Sequence, residues 1–285
     1  MRLRIAVATV LMLVLASCAD ESPVTADSPG PSPPPSPTAG RGPISLIGLW
    51  TVADTGEEPG TVLRIAPNRD LSLWRTCGTL FGAWAGSQDA FIGDVSGGSS
   101  KCFPTEGRPS DSTPSWLRTA TGYRSFADGS LELVDRSEEP VARLLPGGKP
   151  KVGPDVAASE AEPPVITDQD RAELTRTTAL PTTLTRVEPR MIVGRWVPVK
   201  DGGEAFVEFR GDGTWAGSDG CNGNGGRWIV TSQSMLATSR ASTMIGCDGP
   251  RVAAWLSRTA MAGFANEALV LLDAAGTEVG RLKKN

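Results

Sequence analysis

The sequence contains no histidine. Ser-His-Asp and Cys-His triads, histidine-ligated zinc and imidazole pH switches all need that side chain, so each is excluded. Tyrosine occurs once, and neither sign of charge dominates: 28 Lys and Arg against 32 Asp and Glu leave a net charge of −4. Without a global basic field nothing holds a phosphate backbone, which argues against nucleic acid as a partner. Long apolar runs are missing after position 18, where nothing approaches the roughly 18 uninterrupted apolar residues of a membrane helix. The GxSxG, SxxK and GKS/T motifs of common nucleophile and phosphate chemistry are absent too.

What is present starts with an address. Met1-Arg2-Leu3-Arg4 is basic, and residues 5–16 form an apolar run too short to span a bilayer but long enough for a signal-peptide core. Leu15-Ala16-Ser17-Cys18 closes it and resembles the bacterial lipobox. That resemblance implies removal of residues 1–17 and lipidation of Cys18 (a diacylglyceryl thioether, with palmitate as the acyl group). The alternative is an ordinary secretory signal with a chance cysteine. Two acyl chains anchor stably where one is marginal, so the expected site is the extracytoplasmic face of the cell membrane. Residues 18–43 are rich in Pro, Ser, Thr and Ala, including Pro33-Pro34-Pro35. Such a segment buries too little apolar surface to offset its ordering entropy and reads as a disordered spacer. At about 3.1 Å per residue, residues 28–43 reach roughly 50 Å from a lipid surface.

The rest of the chain repeats itself. Residues 61–84 align with 205–228 at a constant offset of 144, placing Cys77 on Cys221, Gly82 on Gly226 and Trp84 on Trp228. Shifts of a few residues then pair Trp50 with Trp196, Cys102 with Cys247, Trp116-Leu117 with Trp255-Leu256, and Leu131 and Leu133 with Leu269 and Leu271. This predicts two homologous domains, 44–146 and 190–285, joined by a linker at 147–189 with a short helix near 168–175. Ala205, Val207 and Phe209 alternate with Phe206 and Glu208 as in a strand with one inward face, and Gly211-Asp212-Gly213 marks a hairpin turn. Val252, Trp255, Leu256 and Ala260 recur at helical spacing behind Pro250, and Thr113-Pro114 offers a similar start in the first copy. The expected class is β-rich α+β: two tandem small antiparallel sheets or barrels, each with one helix.

Apart from Cys18, four cysteines remain, two per copy. An even count in an exported chain suggests the bridges Cys77–Cys102 and Cys221–Cys247, each stabilising its domain by roughly 3 kcal/mol on a chain-entropy estimate. The competing reading, catalytic or metal-binding thiols, lacks a base or further soft ligands.

Gly194-Arg195-Trp196, Phe209-Arg210-Gly211-Asp212-Gly213, Gly217-Ser218-Asp219-Gly220-Cys221-Asn222, Thr243 with Cys247, and Leu269-Val270-Leu271-Leu272-Asp273 together resemble the META domain, the HslJ-like family of small envelope domains. The second copy departs from the family where Ile245 stands in place of a methionine two before the second cysteine. The first copy is degenerate: Gly78 replaces the asparagine after the cysteine, and Gly98 falls where the threonine would be. The resemblance implies a β-rich fold and a link to envelope integrity or stress, and it carries no catalytic residues.

Candidate binding residues are few. Asp219, Asn222 and Asn224 crowd oxygen ligands into a glycine-rich loop, but a calcium loop needs more regular spacing and a closing glutamate. Turn-forming Asn and Gly are the plainer reading. Gly211-Asp212-Gly213-Thr214-Trp215-Ala216 fits a loose GxGxxA pattern without the following helix, and Glu204 and Glu208 read as a solvated strand face. Of eight tryptophans most repeat between copies and read as core. Trp74, without a counterpart, and Trp215, near a hairpin tip, are the candidates for exposed recognition surfaces. No catalytic residue, metal or cofactor is expected. The expected function is a lipid-anchored, non-catalytic binding module whose partner is an envelope protein or a small apolar ligand. The alternatives are a carrier or sensor of a lipid or other apolar molecule and, far less favoured, an enzyme working with carboxylates alone.

Overall fold

A computed structural model describes residues 37–38, 42–99, 101–103, 112–153, 157–175, 178–200, 203–240, 245–246 and 249–285. The leader, Cys18 and all of the spacer but residues 37–38, 42 and 43 lie outside them. The strands of the first half are β1 (Pro37–Thr38), β2 (Gly48–Ala53), β3 (Val62–Ile65), β4 (Asp70–Arg75), β5 (Gly78–Gly86), β6 (Phe91–Gly98), β7 (Gly122–Phe126), β8 (Leu131–Val134) and β9 (Pro140–Pro146), with helix α1 (Ser115–Thr119) between β6 and β7. Helix α2 (Asp168–Leu174) follows, then β10 (Thr185–Arg186) and α3 (Pro189–Ile192). The second half adds β11 (Gly194–Pro198), β12 (Phe206–Phe209), β13 (Thr214–Ser218), β14 (Gly223–Val230), β15 (Met235–Ala237), helix α4 (Val252–Arg258), β16 (Met261–Ala265), β17 (Ala268–Leu272) and β18 (Glu278–Lys284).

The strands form two nine-stranded antiparallel sheets of the same order, β1-β7-β8-β9-β2-β3-β4-β5-β6 and β10-β16-β17-β18-β11-β12-β13-β14-β15. The first curls until Ala90, just ahead of β6, bridges to Gly122 on β7. The protein is thus β-rich α+β with two sheet domains, as the repeat predicts.

The tryptophans explain why the copies match. Trp50 donates its indole N–H to the Leu46 carbonyl at 2.8 Å, and Trp196 donates to Ile192 at 2.7 Å, so each locks the short turn that precedes its strand. Trp84 donates to the Ala66 carbonyl at 2.7 Å, and Trp228 donates to Arg210, the equivalent position, at 3.2 Å and to Thr214 at 2.9 Å. Gly82 and Gly226 serve one steric purpose: a Cβ there would lie 1.9 Å from the Asp94 carbonyl oxygen or 2.1 Å from that of Thr238. No side chain fits where neighbouring backbones come this close.

Each sheet wraps its own core. Trp50, Leu63, Leu73, Trp84, Leu133 and Leu144 fill the first, with Trp116 and Leu117 of α1 closing it. Trp196, Phe209, Trp215, Trp228 and Leu271 fill the second, with Val252 and Leu256 of α4. Ala205, Val207 and Phe209 are each 1% exposed, so the predicted inward face is met. In β17 both faces are buried, because Leu180 and Leu184 from the segment before β10 pack over Val270, Leu272 and Met261 on the outer side. Helix α2 forms where a helix was expected, started by a capping box in which Thr167 and Asp170 exchange hydrogen bonds. Its Leu174 joins the first core. The segment between the copies is therefore tied down at both ends, and Pro35–Asn285 clusters as one compact unit.

Candidate functional site

The glycine-rich loop of the second copy satisfies itself. One Asp219 carboxylate oxygen accepts the backbone N–H of Cys221 at 2.9 Å and of Asn222 at 2.6 Å, and the other accepts the Asn222 side-chain amide at 3.1 Å. These bonds, the backbone N–H of Asn222 foremost, hold the Asp219 carboxyl below the usual carboxylate range. Asn222 also donates to the Ile245 carbonyl and accepts the Ile245 N–H, both at 2.9 Å, stitching this turn to the chain 23 residues on. The Asn224 side-chain oxygen accepts the Gly225 N–H at 2.7 Å and the Ser239 hydroxyl at 3.1 Å. These bonds are those of a turn. No group of three or more His, Cys, Asp or Glu that could hold a metal is found among the described residues.

In the first copy Cys77 and Cys102 form the expected disulfide, with Cα atoms 5.2 Å apart. Cys221 is disulfide-bonded as well; Cys247, its expected partner, lies outside the described residues, as does Thr243. Gly78, which aligns with Asn222 at the 144-residue offset, cannot be replaced by asparagine for a visible reason: its φ is +136°, and a Cβ there would sit 2.0 Å from the Ser99 hydroxyl. That hydroxyl instead accepts the Thr79 N–H at 3.1 Å.

Neither tryptophan singled out for exposure is at the surface. Trp215 is 1% exposed and donates its indole N–H to the Thr238 carbonyl at 2.8 Å. Its place as the second residue of β13, opposite Phe209, aims it inward, and strand alternation overrides its nearness to the hairpin tip. Trp74 is 4% exposed, on the outer face of β4 with Leu49 and Val62. Its buried indole nitrogen has no hydrogen-bond acceptor among the described residues. Glu208 lies 4.0 Å from Arg210, and Glu204 is exposed.

The polar cluster that sequence reasoning missed joins the two sheets. Arg227 of β14 is buried and reaches into the first domain, donating to the carbonyls of Gly93 and Leu117 at 2.9 Å and of Ala120 at 3.2 Å. Leu117 and Ala120 end helix α1, where unpaired carbonyls collect, so a cation is well placed there. Beside it Asp94, 2% exposed in its side chain, faces Arg240 at 2.7 Å and accepts the Thr113 hydroxyl at 3.3 Å. Burial pulls Arg227 down to about 10 and pushes the Asp94 carboxyl up, with Arg240 opposing the rise. Around these charges Ala85, Ala90 and Ile92 pack with Ile229 and Leu236. Ala85 and Ile92 are the 144-residue counterparts of Ile229 and Leu236, so the same face of each copy meets the other. Arg227 carries no motif. Its signal is a cation in the middle of an apolar strand, at a position where the first copy has Ala83.

Asp94 is thus sealed in an ion pair, and Tyr123, the single tyrosine, donates its hydroxyl to the Ser87 carbonyl at 2.9 Å. Compared with known proteins, residues 190–285 match the META domain family, the span on which the resemblance rests. No curated protein and no solved structure matches the chain.

Proposed function

We propose that this chain is a lipid-anchored, extracytoplasmic envelope protein whose two META-like copies act together as a non-catalytic binding module. The observation that carries this reading is the META match over 190–285, a domain of envelope-associated, non-catalytic character. The shared strand order and the matched indole hydrogen bonds support residues 44–146 as a diverged second copy. The Cys77–Cys102 bridge suits an oxidising compartment, and the basic start, apolar run and Cys18 supply export and attachment. Metabolic labelling with an alkyne palmitate, followed by membrane fractionation of wild type and Cys18→Ala, tests it. Label on the wild type alone, with release of the variant from the membrane, is the expected result. Unlabelled wild type in the soluble fraction refutes the anchor.

The carrier reading draws less support. A barrel that encloses a ligand needs interior space, whereas tryptophan and leucine pack the interiors of both sheets. Comparing native and denatured mass spectra of protein from an oxidising source tests this directly. An apolar mass lost on denaturation would revive the carrier.

A further inference from the structure

Beside the apolar joint, at Leu236, the two copies enclose a cavity of about 260 Å³. The first copy lends it Arg69, from the turn between β3 and β4, and Asp89, from the turn between β5 and β6. The second lends Ala274, and Glu173 reaches it from helix α2. That helix end is fixed in place because Leu174, the next residue, is buried in the first core.

Arg69 is at odds with its own backbone. Its φ is +69°, in the left-handed region that glycine adopts freely and that a side chain makes costly. At the 144-residue offset the second copy has Gly213, with φ +82°. The turn itself needs no arginine, and a strained residue standing where glycine would relax the fold points to a use for its side chain. The guanidinium is half-buried yet makes no ion pair or hydrogen bond with any described residue, and none of its nitrogens is sealed from the cavity it lines. The adjoining stretches outside the described residues, 39–41 and 176–177, hold no acid.

The charges around it are arranged but not closed. Burial holds the Arg69 guanidinium below its ordinary range, with Glu173 opposing the fall and Arg258 adding to it. Arg258 is turned toward Asp273 at 3.4 Å. Glu173 is near enough for its charge to be felt at Arg69, but its carboxylate accepts the Gln169 side-chain amide at 2.9 Å instead of pairing with the guanidinium. A cation and an anion thus face one cavity with a gap between them. With Asp89 as a second acid the walls carry both signs of charge, and Pro43, Leu174 and Ala274 add an apolar side.

We propose that this cavity binds a small zwitterion of amino-acid size, its carboxylate on the Arg69 guanidinium and its ammonium group on the Glu173 carboxylate. A guanidinium with free donors matches a carboxylate in two parallel hydrogen bonds. A simple anion placed there would face Glu173 as a like charge, whereas an ammonium group on the same molecule answers it. The volume sits at the lower edge of small-ligand sites, as a ligand of a few heavy atoms requires. The proposal rests on the binding-module reading and names its ligand class.

The test titrates the purified, 15N-labelled full chain with glycine, L-alanine, L-leucine and L-glutamate, and with acetate and ethylamine, which carry one charge each. The backbone amides of Gly86, Asp89 and Ser234, all at the cavity, are followed. A saturable shift with at least one amino acid, and none with acetate or ethylamine at the same concentrations, is expected. Arg69→Gly relaxes the turn, so its melting temperature stays at or above that of wild type while affinity falls tenfold or more; Glu173→Gln, a change at an exposed residue, lowers affinity as well. The proposal is overturned by silence with every amino acid, by acetate binding as tightly as the amino acids, or by undiminished affinity in Arg69→Gly. A lower melting temperature in Arg69→Gly also overturns it, because the arginine would then be holding the turn. Each of these failures leaves palmitate labelling of Cys18 untouched, so the anchored-module reading is judged separately.

Discussion

Replacing Arg227 with alanine removes a cation from the second domain, yet the damage falls in the first. Three carbonyls, those of Gly93, Leu117 and Ala120, lose their shared donor at a buried joint. Hydrogen bonds to a charged group are worth about 1.5–3 kcal/mol each, and buried acceptors left bare cost on the order of 1–3 kcal/mol, so the gross loss is roughly 5 kcal/mol or more. Against this stands the expense of holding a guanidinium out of water. Burial holds its pKa down to about 10, below the ordinary guanidinium value, an expense on the order of 3 kcal/mol at 1.36 kcal/mol per pKa unit. The net cost of Arg227→Ala is therefore about 2–4 kcal/mol. Guanidinium denaturation reads this as a lower midpoint, and amide hydrogen exchange reads where it goes: protection drops across residues 93–95 and 115–123, not only around position 227. Arg227→Met keeps most of the side-chain volume and loses the donors, so it falls nearly as far. An unfolding free energy within about 0.5 kcal/mol of wild type, the range of an ordinary surface change, would refute the joint as a stabilising element, and so would exchange changes confined to β14.

Two other outcomes follow from the geometry. Gly226→Ala drives a Cβ to 2.1 Å from the Thr238 carbonyl oxygen and 2.8 Å from the Trp215 indole nitrogen, and it destabilises by about 3 kcal/mol as overpacking; Gly97→Ala, where a Cβ meets nothing within 4 Å, stays near zero in the same thermal melts. Asp219 is held low by the hydrogen bonds it accepts, so its contribution is present above the ordinary aspartate pKa of about 3.9 and is lost as pH falls through the lower folded value. Denaturation midpoints at pH 6 and pH 3 then differ less in Asp219→Asn than in wild type, and equal differences would contradict the assignment. Asp94 works with the opposite sign, because burial raises its pKa and protonation relieves the charge.

Much of the architecture was legible because it rests on patterns that local physics enforces. Inward alternation in β12, the Asp212 turn and the short helix near 168–175 each have a short-range cause, and the 144-residue offset turned one domain reading into two. Trp215 was misjudged because a hairpin tip lies one residue from it, while the face of the strand decides its burial. Trp74 points outward as its lack of a counterpart suggested, but Leu49 and Val62 cover it. Arg227 and Asp94 were invisible for a different reason. A buried charge is tolerated only where its partners converge in space, and those partners lie more than 100 residues away in sequence.

The joint also explains what a tandem chain can do that a symmetric pair cannot. In a two-fold dimer of identical chains every residue appears twice, so a cation placed on the shared face meets the same constraint on both sides. Here equivalent positions do meet, Ala85 and Ile92 against Ile229 and Leu236, but the copies have diverged around them. Arg227 answers Ala83, and Asp94 answers Thr238, so one arginine caps a helix in the other copy and the acid pairs with Arg240 without any like charge facing itself. The same freedom shows at the far end of the sheet, where Trp74 and Arg75 replace Ser218 and Asp219. Covalent linkage lets the second copy keep the self-satisfied Gly-Cys-Asn turn while the first places a buried tryptophan and an ion-paired arginine there. A single-copy protein must reconcile both demands on one surface. Grafting Ser218 into the first copy as Trp74→Ser, a change on the outer face of β4, should therefore leave the joint intact, with wild-type exchange protection at Gly93 and Leu117. Lost protection there would show that the two ends of the sheet are not independent.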